Sequence, residues 1–167
     1  MIVIPIAVAA VAMAVTSSSQ NEQRSPTVQS TALGQLPLVG KWSLDVSRIP
    51  PDERPRSVTL DFRVSADQEW TGQSEIVAAD GSRQHAEATG PADGTPVPVN
   101  GNMTFADKVS MRQPAPNTLV LTFTKNGNPV STRVYTIEED RKSMKETIIW
   151  AGNITPRMVT TYFKRIG

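Results

Sequence analysis

The stretch SVTLDFRVS, residues 57–65, sets Val58, Leu60, Phe62 and Val64 on one parity and Thr59, Asp61 and Arg63 on the other. A period of two fits a strand with one buried and one wet face, and a helix cannot satisfy it. The pattern returns in NTLVLTFTK, where Leu119, Leu121 and Phe123 share a side. In SMKETIIWA, Met144, Ile148 and Trp150 share a side that also carries Glu146. Runs of this kind near 40–46, 57–65, 69–78, 82–89, 96–100, 107–112, 118–125, 130–138, 143–151 and 157–165 predict about nine or ten strands. Ala79-Asp80-Gly81-Ser82, Asn126-Gly127 and Ala151-Gly152-Asn153 supply residues that tolerate positive φ, as tight hairpins require. Short spacers make an antiparallel meander. A meander this long either exposes its edges or closes, so an all-β up-and-down barrel is expected, with a two-sheet sandwich as the alternative.

Upstream of these runs the composition changes twice. Residues 2–15 are apolar and uncharged. That is shorter than the roughly twenty residues of a membrane span but suited to a secretory signal, with Ala12-Met13-Ala14 as a small-x-small cleavage pattern. Residues 16–37 are rich in Ser, Gln, Thr and Pro and hold few large apolar side chains, so they read as a flexible polar tether. The expected organisation is a signal peptide over 1–15, a linker over 16–37 and one folded domain over 38–167, placed in the periplasm or outside the cell with no integral span after cleavage. An outer-membrane barrel would need lipid-facing girdles of aromatics, whereas aromatics are 5% of the chain and the outward parity carries Asp61, Arg63 and Lys145.

Charge and chemistry narrow the function. Seventeen basic residues against 16 acidic leave no net field for nucleic acid. Cysteine is absent and one histidine remains, which removes disulfides, thiolate chemistry and most metal sites. His85 and Glu87 in RQHAE share a strand face with Arg83 and could form an acid–base pair. A metal site would want a second His, and a serine nucleophile would want a G-x-S-x-G elbow; the sequence has neither. Phosphate loops and dinucleotide fingerprints are missing as well. Neither a metal nor a cofactor is expected. Asn102-Met103-Thr104 and Asn153-Ile154-Thr155 match the glycosylation pattern, which matters only in a eukaryotic secretory route.

Gly40-x-Trp42 on the first strand, followed by the Pro-rich VSRIPPDERPRS and closed by VTTYFKR, resembles small bacterial exported lipocalin-like proteins of the calycin group. The resemblance covers most of residues 38–167. It implies that Trp42 packs across the closed end of the barrel, with a cation from the last strand over its ring. Arg165, which shares a face with Phe163 and Thr161, fits that role better than Lys164. Gly40, Trp42 and Arg165 are thus the expected closure set. The fatty-acid-binding branch of the same group covers its cavity with two short helices, which Pro50, Pro51 and Pro55 rule out here. That branch also fixes a ligand carboxylate with an R-x-Y pair on its last strand, where this chain has Thr160 and Thr161 before Tyr162.

The residues expected to face inward are Trp42, Leu44, Leu60, Phe62, Trp70, Met111, Leu121, Phe123, Glu146, Ile148 and Trp150. Such residues either fill a barrel or line a pocket for one small molecule, and the same residue types serve both ends. Glu146 on an apolar face argues for a polar feature inside, unless it sits at a strand-end rim. The sequence supports a non-catalytic binding module that holds a small apolar or amphipathic ligand by burial rather than by an ion pair. A second reading is an interaction or inhibitor module whose Pro-rich loop, residues 48–56, contacts an exported protein; a remote third is a hydrolase or isomerase built on His85.

Overall fold

Alternating side chains need an opposing apolar face, and the chain provides one by curling its sheet back on itself. The computed structural model describes residues 36–152 and 157–167. The signal peptide expected over 1–15, most of the tether and the Asn153-Ile154-Thr155 triplet lie outside the described residues. The strands are β1 (Gly40–Leu44), β2 (Ser57–Val64), β3 (Glu69–Val77), β4 (Arg83–Pro91), β5 (Asp93–Pro98), β6 (Asn100–Gly101), β7 (Lys108–Ala115), β8 (Thr118–Lys125), β9 (Asn128–Ile137), β10 (Ser143–Trp150) and β11 (Arg157–Arg165). One 3-10 turn, Val46–Arg48, follows β1. Among the described residues no helix is long and apolar enough to cross a membrane.

All eleven strands belong to one antiparallel sheet in the order β5-β7-β8-β9-β10-β11-β1-β2-β3-β4-β6. The first and last strands pair. Trp42 stands opposite Arg165 and Leu44 opposite Phe163 on the β1–β11 ladder. The edges of this single sheet come together where Val97 of β5 packs on Gly90 of β4, so the sheet curls into a barrel and the sandwich alternative falls. The barrel is nearly closed rather than sealed: β5 pairs with β7, β6 pairs with β4, and a seam runs between the two sides. Nine or ten hairpin-linked strands were expected, so the seam and the short β6 are corrections. Pro96 and Pro98 of β5 have no amide hydrogen to donate, which weakens the ladders this strand can support.

The core follows the predicted parity. Leu38, Trp42, Leu60, Phe62, Trp70, Val109, Met111, Leu119, Leu121, Tyr135, Ile137, Met144 and Phe163 form one buried cluster. Leu36 also packs against it, and Val39 N–H donates to the Leu36 carbonyl at 3.1 Å. Residues 36 and 37, expected to end the tether, are among the described residues, and Leu36 packs on the core. Strand directions place Gly40, the end of β2 and the start of β3 at one end of the barrel. The connections 45–56, 78–82, 102–107 and 126–127 gather at the other.

Candidate functional site

The Gly40 end is plugged. Trp42 is completely buried, and its indole N–H donates to the Leu38 carbonyl at 3.0 Å. The Arg165 guanidinium carbon lies 4.1 Å from the centre of the Trp42 ring. Its Nη1 donates to the Val39 carbonyl at 2.7 Å, its Nε to the Arg141 carbonyl at 3.0 Å, and its Nη2 to the Pro37 carbonyl. One cation thus covers the indole and ties the incoming chain to the last strand. Lys164 lies outside the barrel and pairs with Asp45 at 3.3 Å. Gly40 makes this possible: its φ is +127°, and a Cβ there would come within 2.5 Å of Arg165 Nη1 and 2.6 Å of the Gly167 carbonyl oxygen.

Beyond the plug the barrel encloses a cavity of about 330 Å3. That volume falls at the lower end of ordinary ligand pockets, about 300–1,000 Å3. Of the residues expected to face inward, Leu60, Phe62, Met111, Leu121, Phe123, Glu146 and Trp150 line it. Trp42, Leu44, Trp70 and Ile148 do not. Trp42 and Trp70 pack the plugged end, Leu44 borders the core, and Ile148 stands half-buried opposite Arg133 on the β9–β10 ladder. Val58, Ile76, Ala86, Ala88, Val109 and Phe163 complete the apolar wall. Met103 and Phe105 join it from the 102–107 connection, and exposed Gln84 marks the end that opens to solvent.

The interior is not wholly apolar. Glu146 is 3% exposed and sits mid-strand, not at a rim. Its Oε1 accepts from Tyr135 Oη at 2.8 Å and from Arg133 Nη1 at 3.2 Å, and its Oε2 accepts from Thr161 Oγ1 at 2.7 Å. Ladder geometry assembles the set: Glu146 stands opposite Tyr135 on β9 and opposite Thr161 on β11. Three donors on two oxygens is the environment of an acceptor-only carboxylate. Phe123, Phe105 and Trp150 surround the guanidinium, their ring centres 5.4, 5.5 and 5.8 Å from its central carbon. Such cation–π contacts are each worth about 0.5–2 kcal/mol. Burial and then the negative charge of Glu146 push the Tyr135 phenol far above its ordinary value. Burial works to lower the Arg133 pKa, and the electrostatics of Tyr135 and Glu146 outweigh it, leaving it raised.

Arg133 and Tyr135 are the residues that sequence reasoning missed. Both share a parity of β9 with Ser131 and Ile137, but Val130 and Val134 on the opposite parity mask that signal. Phe105 lies in a connection, where no periodicity points inward. His85 and Glu87 flank the inward Ala86 on the opposite parity; Glu87 meets Arg63 at 3.5 Å and also borders the cavity. Among the described residues, no three His, Asp or Glu side chains converge as a metal site would require. Neither a protein-family model nor a curated protein matches the chain.

Proposed function

We propose that this chain is an exported lipocalin-like binding module that holds one small apolar or amphipathic molecule inside its barrel, without catalysing a reaction on it. The observation that carries this reading is the cavity of about 330 Å3, walled by aliphatic and aromatic side chains and plugged at one end only. A barrel selected for stability alone gains by filling such a space, since interiors pack close to crystal density and voids forfeit contacts. Apolar walls favour a ligand that brings apolar surface, at roughly 25 cal/mol for each Å2 buried. The lipocalin-like likeness and the apolar leader at residues 2–15 support export and a carrier or capture role.

The test is native mass spectrometry on protein purified from its own host. A retained small molecule is expected, and Ala88→Phe, which puts a ring into the cavity wall, should release it while circular dichroism keeps the β signature. A protein that emerges empty and binds no apolar probe would refute the reading. A tight complex with an exported enzyme in that same preparation would favour the interaction reading instead. One observation supports that second reading: the loop after β1 is held in a defined shape, with Arg54 Nε and Nη2 donating to the Ile49 carbonyl at 3.2 and 2.8 Å.

A further inference from the structure

Strand register gives the cavity a depth. Its wall on β2, β3 and β4 is built of rungs of paired residues. The lowest rung is Phe62, Gly72 and Ala88; the highest is Val58, Ile76 and Gln84. One rung further down stand Val64, Trp70 and Gly90, none of which lines the cavity. Trp70 is 3% exposed and fills the barrel at that level. Phe62 carries the floor across the interior: its ring meets Tyr135 of β9 edge-on, with the ring centres 5.2 Å apart. Burial fades toward the other end. Phe62 is buried, Val58 and Ile76 are half-buried, and Gln84 is exposed.

From Phe62 to Val58, and likewise from Ala88 to Gln84, the strand advances by about 13 Å. Barrel strands tilt by about 40°, so the depth along the axis is about 10 Å. An extended covalent chain advances by about 1.2 Å per bond, a third of the rise of an extended peptide residue. An alkyl chain of about eight to ten carbons therefore reaches from mouth to floor, and a longer one leaves its end outside.

Polarity sets the direction of entry. At floor level Glu146 accepts from Tyr135, Arg133 and Thr161, so these polar groups are spent on one another. A headgroup pushed down to them would give up its water among groups already paired, and a carboxylate would also face Glu146. At the mouth, beside exposed Gln84, a headgroup keeps its water. A hydrocarbon tail has the opposite preference.

We infer that the ligand is a medium-chain amphiphile that enters tail first, its chain end resting on the Phe62–Tyr135 floor and its polar headgroup left in solvent at the mouth. The inference rests on the binding reading above and specifies its ligand.

Calorimetric titration with the straight-chain alcohols hexanol, octanol, decanol and dodecanol reads the depth. Decyl maltoside, titrated below its micelle concentration, reads the direction. Affinity should rise roughly fourfold with each added methylene until the chain reaches about ten carbons, and then level off. Decyl maltoside should bind nearly as tightly as decanol, because its bulky sugar stays outside. Phe62→Ala removes the ring that completes the floor and should let dodecanol gain over decanol. In the unaltered protein, a rise that continues at the same increment through dodecanol, or failure of decyl maltoside where decanol binds, would overturn the inference and leave the cavity reading standing. Failure of every probe to bind would overturn both. These outcomes are read from the unaltered protein, so they hold even where Phe62→Ala does not fold.

Discussion

Two residues carry more of this structure than their size suggests. Gly40 looks like a passive spacer before Trp42, yet its φ of +127° and the approach of Arg165 and Gly167 leave no room for a side chain. Gly40→Ala should cost about 2–4 kcal/mol in urea unfolding, from backbone strain combined with displacement of the cation over the indole. Part of that loss comes from collision with a flexible side chain. It should therefore shrink when Gly40→Ala is made in an Arg165→Met background; a fully additive pair would show that the strain is in the backbone alone. Tyr135 makes a different prediction. Its phenol stays protonated in the folded state beyond the pH, near 10, at which an unfolded tyrosine ionises. Above that pH the unfolded chain binds fewer protons than the folded one, so stability falls with rising pH, by about 1.4 kcal/mol per unit from this one group. Tyr135→Phe should start from lower stability, having lost the bond to Glu146, and should decline less steeply above pH 10 in otherwise identical melts. Equal alkaline slopes in the two proteins would refute the assignment.

At the scale of elements, the strands that were legible are those with one apolar parity. β2, β8 and β10 begin and end within a residue or so of their sequence expectation, because alternation decides both the face and the extent. Glu146 was legible as an exception on β10. β9 was located but its interior was not, because Val130 and Val134 occupy one parity while Tyr135 and Ile137 occupy the other. With apolar residues on both sides, nothing in the strand said that Arg133 faced inward; the β8 and β10 ladders settle it. The seam was illegible for another reason. It depends on which edge β5 abandons, and that follows from long-range packing: Val97 lies so close over Gly90 that a Cβ on the glycine would come within 2.6 Å of it. β4 and β5 thus meet through side chains where a ladder would otherwise form. Amides along this seam, in β5 and β6, should exchange with deuterium faster than those of β9, β10 and β11, which have ladders on both sides. Uniform protection around the barrel would mean that the seam closes in solution.

For the molecule as a whole, the two ends of the barrel divide the work. The Gly40 end has a buried indole, a cation bonded to three carbonyls and the pairing of the first and last strands. The other end carries the open cavity and the connections that could admit a guest. Neither Trp42 nor Arg165 lines the cavity, so stability and binding should be separable, as they are for sites without shared contacts. Arg165→Met ought to lower the unfolding temperature while leaving the affinity for an apolar cavity probe where it was. Ligand linkage gives a quantitative check. At a free ligand concentration of about a hundredfold over Kd, binding adds roughly 2.7 kcal/mol to stability. The same increment should appear in the unaltered protein and in Arg165→Met when both are followed by thermal melts with and without ligand. An increment that disappears with Arg165 would mean that the plug shapes the cavity, and the barrel would then have to be treated as one cooperative site instead of a sealed floor beneath an independent pocket.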